Sequence, residues 1–248
     1  MKIIYILWLR QVKRYYRSRA RIVGSLGQPL LFLLALGFGF GPIYKRAGGG
    51  NYIQFLAPGV ISMGILFTAV FSGIEIIWDK QFGFLKETLV APVSRMKIMI
   101  GRTLGGGTAA LLQGMIVFGI STVIGFKPAN VQLVLVSFVF MALVALFFTA
   151  LGTAIASLLE DMQGFQLIMN FLVMPLFFLS GALFPLKGLP KLLVLVASLD
   201  PLSYGVDGLR GTLATGAHFG LLTDFLVLSV ITTIALVIGS YLFSKIQI

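Results

Sequence analysis

The chain has 248 residues, of which 58% are hydrophobic and only 11% charged, and its mean hydropathy is +1.01. Soluble domains run near about 25% charged, so this composition belongs to a membrane-embedded chain. Cysteine is absent, which excludes disulfides, thiolate metal sites and cysteine nucleophiles. The net charge of +11 invites a nucleic-acid reading, but its placement along the chain follows membrane topology instead.

The first 21 residues read as an amphipathic interfacial helix. At 100° per residue Arg10, Lys13, Arg14, Arg17 and Arg21 share about a third of the circumference, with Tyr5, Trp8, Leu9, Val12 and Tyr16 opposite. Six tracts without Asp, Glu, Lys or Arg follow, at 22–44, 47–74, 103–126, 128–159, 162–186 and 225–244. Each reaches the roughly 20 residues that cross a hydrocarbon core. The fold class expected is therefore all-α, with six transmembrane helices near 22–44, 53–75, 103–126, 131–158, 164–186 and 222–244. A spanning barrel would need strand-length alternation, which these tracts lack. The first tract is too long for a signal sequence and is read as a retained helix. With the N-terminus in the cytoplasm, thirteen of the nineteen Lys and Arg fall on the inside and six on the outside. This is the positive-inside pattern, and it places both termini in the cytoplasm with anionic lipid as the natural partner of the basic excess.

The loop 45–52 is a glycine-rich external turn. Neither it nor GRTLGGGT at 101–108 matches the phosphate-binding GxxxxGK[ST] loop, so the chain is expected to bind no ATP of its own. Segment 75–95, EIIWDKQFGFLKETLVAPVSR, lies between the second and third spans. Phe82, Leu85 and Leu89 form an apolar stripe, and Asp79, Lys80, Lys86 and Glu87 supply mixed charge. Pro92 ends this helix and Ser94 is placed to cap the next. Such a helix, held by tight corners between two spans, suits the receipt of force from a soluble partner. A lipid-anchored loop helix fits the spacing equally. Gly37-x-x-x-Gly41 and Gly101-x-x-x-Gly105 are close-approach patterns that suit either a tight bundle or self-association. Pro29, Pro58 and Pro175 interrupt spans without internal repetition. Between the fifth and sixth spans, 187–220 holds the apolar stretch 192–199 and then Asp200-Pro201. It is read as a re-entrant segment or a surface helix packed on the bundle.

Catalytic and metal chemistry find no support. His218 is the only histidine, and Glu160-Asp161 are adjacent residues that do not face each other on a helix. The spans carry no ionisable residue for ion coupling, and Glu75, at the cytoplasmic end of the second, is expected at the interface or paired with a basic neighbour.

Three stretches, EIIWDKQFGFLKETLVAPVSRMKIMIGRTLGG (75–106), PLFFLSGALFPL (175–186) and LDPLSYGVDGLRG (199–211), in this order and within a six-span layout, resemble the type-2 ABC exporter permeases, particularly their drug-resistance, daunorubicin-exporter-like branch. The resemblance implies a single transmembrane domain over 1–248 and a coupling helix within 79–95. That helix would dock in a groove of a separate P-loop ATP-binding subunit, which holds ATP and Mg while this chain holds no cofactor. The residues implied at or near the contact are Asp79, Lys80, Phe82, Gly83, Leu85, Lys86, Glu87 and Leu89, with Pro92 and Arg95 at the break. The basic helix bearing Arg10, Lys13, Arg14 and Arg17 would lie near the same subunit. The outer segment 187–220, with Asp200, Pro201, Tyr204, Asp207 and Arg210, would be re-entrant. The working unit implied is two permease chains, a homodimer or a pair with a sister permease, and two ATPase chains. Its cargo would be a hydrophobic or amphipathic compound, a drug or lipid-like molecule, exported across the cytoplasmic membrane. A polysaccharide or glycoconjugate cargo is the alternative within the family, and an ion-coupled carrier or channel without ATPase the alternative outside it.

Overall fold

A computed structural model describes residues 2–48, 50–84 and 93–245. Its ten described helices are α1 (Lys2–Arg17), α2 (Arg19–Arg46), α3 (Tyr52–Phe71), α4 (Ile74–Gln81), α5 (Arg95–Ile124), α6 (Val134–Leu158), α7 (Met162–Leu179), α8 (Lys191–Leu199), α9 (Pro201–Leu213) and α10 (Leu221–Ser244). No strand occurs among the described residues. Six helical stretches are long and apolar enough to cross a membrane: α2, α3 continued by α4, α5, α6, α7 and α10.

The bundle centres on α3, whose apolar window is 78% buried. A helix apolar on every side must be wrapped by others, and here α2, α5 and α6 do the wrapping. Small residues set the spacing. A Cβ added to Gly152 on α6 would strike the Val70 carbonyl, and one added to Gly73 would strike the Gly152 carbonyl. On α5, Gly106 faces Ser72 and Thr149, and Gly114 faces Ile65. Such positions let helix backbones approach in a medium where apolar burial alone does not drive association.

The glycine pair Gly101 and Gly105 receives α1, with Ile4 and Leu7 over the first and Trp8 and Gln11 over the second. It therefore serves packing within the chain. Gly37 approaches Ile53, while nothing lies within 4 Å of where a Cβ on Gly41 would sit. The amphipathic helix ends at Arg17, Ser18 breaks it, and Arg21 belongs to the first turn of α2. α5 begins at Arg95, eight residues before the uncharged tract that announced it, and Ser94 makes no side-chain capping bond there. Pro29, Pro58 and Pro175 lie inside helices that run through them. Asp161 caps α7 by accepting from Gly164 N.

Between α7 and α10 the chain folds as α8 and α9, bent by 93° at Asp200. Asp200 accepts from Leu202 N and Pro201 opens α9, a good first helical residue because its missing N–H has no partner to lose. Tyr204 donates to Ser198 O across the bend at 2.7 Å. Asp207 accepts from His218 N and Phe219 N, and Arg210 donates to Gly181 O while lying 4.1 Å over the Phe55 ring. Buried charges need partners of this kind. They tie α9 to α3, to the turn after α7 and to the segment before α10.

Candidate coupling site

α4 continues α3 through a bend at Ser72 and Gly73, and every charged side chain on it is anchored to another helix. Glu75, 7% exposed, faces Arg21 of α2 at 2.6 Å and Arg14 of α1 at 3.5 Å. Its expected basic neighbour is thus present twice. Asp79, 4% exposed, pairs with Arg102 of α5, itself 5% exposed, and with Arg10 of α1 at 3.9 Å. Lys80 Nζ donates to the carbonyls of Ser157 and Leu159, at 2.7 and 3.0 Å, and to that of Ala156. These are orphan carbonyls at the C-terminal end of α6, where a cation also meets the negative end of the helix dipole. Gln81 donates to Glu160 O just beyond.

α4 is thus a junction joined to α1, α2, α5 and α6 by charge. Asp79 and Lys80 point inward and hold the junction together. Three aromatic residues face outward, Trp78, Phe82 and Phe84, and all are exposed. Gly83 follows at φ +79°, a left-handed turn that glycine adopts without steric cost. Leu85, Lys86, Glu87, Leu89 and Pro92 lie outside the described residues. Arg95 opens α5 and donates to Ser244 O at 2.6 Å, linking the start of α5 to the end of α10.

On the other side of the junction, Tyr15 of α1 is buried and donates to Gln113 of α5 at 2.6 Å. Burial pushes its hydroxyl up to about 12, with Arg21 pulling weakly the other way. The phenol therefore stays a donor at neutral pH. Trp8 donates to Thr108 at 2.9 Å. The helix face that docks on α5 is Ile4, Leu7, Trp8, Gln11 and Tyr15. It lies between the basic flank and an exposed flank carrying Tyr5 and Tyr16.

Sequence reasoning missed Arg102 and the burial of Glu75 and Asp79. An arginine set among glycines inside an apolar helix, GRTLGGG, was the available signal, since a charge beside close-packed glycines has no solvent to turn to. The profile of the ABC-2 type transporters matches residues 3–214. The chain belongs to the ABC-2 type transporter family. It is 32% identical to a putative transport permease ycf38 of Pyropia yezoensis over 213 residues, 84% of this chain and 72% of that protein. It is 26% identical to Nodulation protein J of Rhizobium leguminosarum bv. viciae over 242 residues, 92% of this chain and 93% of that one. The same named protein from Bradyrhizobium diazoefficiens is 29% identical over 94% of this chain. The chain is thus a membrane transport subunit of an ABC transporter, a multi-pass helical protein that works with an ATP-binding cassette partner.

Proposed function

We propose that this chain is the permease half of an exporter driven by a separate ATP-binding subunit, and that it moves a hydrophobic or amphipathic compound across the cytoplasmic membrane. The observation that carries the coupling assignment is the junction. A segment with exposed aromatic tips, Trp78, Phe82 and Phe84, is rooted by ion pairs and carbonyl bonds in four other helices. Force applied at the tips moves α1, α2, α5 and α6 together. Two such permease chains, each with an ATPase, would rock against each other as the ATPases close and open, exposing the pathway between them to alternate sides. Cargo biases the cycle through its different affinities for the two states. Both termini would be cytoplasmic.

The exposed apolar faces of α2 and α7, including Leu31, Phe38, Leu167 and Phe171, suit contact with lipid or with the second permease chain. The matched relatives named above speak of transport and nodulation and not of drug efflux. A polysaccharide or other glycoconjugate is accordingly the second cargo class to test.

The test is a detergent pull-down of the tagged chain co-expressed with a P-loop ATPase encoded beside it. Co-purification that is lost with Phe82→Asp, while the variant still inserts, supports the coupling site. A chain that purifies alone and supports flux in liposomes without ATP overturns the reading in favour of a carrier or channel.

A further inference from the structure

Arg102 is 5% exposed, and its Nη2 donates to Asp79. Its Nε and Nη1 have no hydrogen-bond partner among the described residues. Charged donors left unmet away from solvent are costly. The same guanidinium borders a cavity of about 20 Å³ between α1, the bend from α3 into α4, α5 and α6. None of the residues lining it is exposed. The space is left open because α5 brings Gly105, Gly106 and Ala109 to it, with nothing larger than a methyl group.

The walls of the cavity are chemically opposed. Arg102 offers donors on one side. Facing it are the Glu75 carboxylate and the hydroxyl oxygens of Tyr15, Ser72 and Thr153. Each of these hydroxyls already gives its proton away, to Gln113, Ala69 O and Thr149 O respectively, and has only lone pairs left to offer. Arg21, which also borders the space, is engaged with Glu75. A surplus of donors on one wall and of acceptors on the other is bridged by a molecule that both accepts and donates. An anion would accept from Arg102 but meet a carboxylate and three lone pairs, and a cation would meet the guanidinium. A water needs roughly 10–15 Å³ and about two to four polar partners, and both are present.

We propose that this cavity binds a structural water, which accepts from Arg102 and donates to the oxygens facing it. The water joins α5 to α1, α3 and α6 at the root of α4. It belongs to the folded junction, so it stands or falls separately from the assignment of the ATPase contact.

Pulsed X-ray radiolysis of the full chain in detergent reads the water directly, because a bound water ionised by the pulse releases its hydroxyl radical onto the side chains that hold it. Tyr15 borders the cavity at 4% exposure, whereas Tyr52, at 8%, does not border it and serves as the control. Exposure alone would label Tyr52 faster. Tyr15 is expected to be oxidised several-fold faster than Tyr52, as counted by mass spectrometry of the peptides. Asp79→Leu with Arg102→Met, which takes away the donors, is expected to bring Tyr15 down to the rate of Tyr52. Ala109→Val pushes methyl groups into the space and is expected both to slow Tyr15 oxidation and to lower the unfolding midpoint, since Arg102 then meets hydrocarbon. Native Tyr15 labelled no faster than Tyr52 overturns the proposal. So does a Tyr15 rate unchanged in the double variant, or a midpoint raised by Ala109→Val, as filling a dry apolar cavity would raise it. A Tyr15 rate that changes when chloride is exchanged for gluconate assigns the space to an anion and also overturns it.

Discussion

Removing Asp79 is expected to be among the most damaging single changes on α4. Asp79→Ala leaves Arg102 buried at 5% exposure, with Nε and Nη1 already lacking partners among the described residues. Arg10 is half-exposed and turns to solvent, so it adds little to the loss. Breaking a buried pair from one side costs about 3–5 kcal/mol, because the orphaned charge stays desolvated. For a chain of this size that corresponds to a fall of roughly 10 °C or more in the unfolding midpoint. Replacing both partners by apolar residues, Asp79→Leu with Arg102→Met, removes the orphan and is expected to recover most of the stability. Thermal unfolding in detergent of the native chain, Asp79→Leu, Arg102→Met and the double variant gives the coupling energy of the cycle, expected near ~3 kcal/mol. Additive effects, or an Asp79→Ala change under about 1 kcal/mol, would refute the view of the pair as a buried joint. The apolar double variant separates stability from coupling. It is expected to fold and bind its ATPase, yet to move less cargo per ATP hydrolysed, and normal stoichiometry would show that the joint carries no force.

Tyr15→Phe strands Gln113, whose Nε2 already lacks a partner, and is expected to cost about 1–3 kcal/mol by the same unfolding assay. Tyr15 also gives a pH signature. Its folded value is raised from 10.0 to about 12, so its contribution is fully present below pH 10.0 and is lost as the unfolded chain ionises between the two values. Stability should fall more steeply above pH 10.0 in the native chain than in Tyr15→Phe, and parallel curves would contradict the buried hydroxyl. Gly152→Ala drives a methyl into the Val70 carbonyl and is expected to cost about 1–3 kcal/mol, whereas Gly27→Ala, with open space around it, is expected to be neutral or slightly stabilising. Arg210→Met removes the bond to Gly181 O and the stacking on Phe55, so limited proteolysis should cut the segment between α7 and α10 sooner than in the native chain.

The six spans were legible because a bilayer demands long uncharged helices and leaves little other choice. The bend at Asp200-Pro201 was legible for a local reason as well, since an aspartate cap and a proline at the first helical position act within one turn. Boundaries were less legible. α5 starts at Arg95 rather than near 103 because Arg102 finds Asp79 and needs no solvent, and α1 stops at Ser18 so that Arg21 can reach Glu75 from α2. In the candidate site, the sequence marked Asp79, Lys80 and Phe82 together as one charged, aromatic segment. The fold separates them, turning Asp79 and Lys80 inward as anchors and leaving Phe82 exposed.

By itself, then, the sequence determined the membrane class, the number of spans, the amphipathic character of the first helix and the absence of a phosphate-binding loop. These follow from composition and short-range periodicity, which every residue carries locally. Only the tertiary structure decided which charges are partners, that Gly101 and Gly105 serve α1 and not a second chain, and that α4 is fastened to four helices. Asp79 and Arg102 are 23 residues apart in the chain and Tyr15 and Gln113 are 98 apart. No periodicity spans such separations, and a buried charge shows its role only when the group that neutralises it is in place.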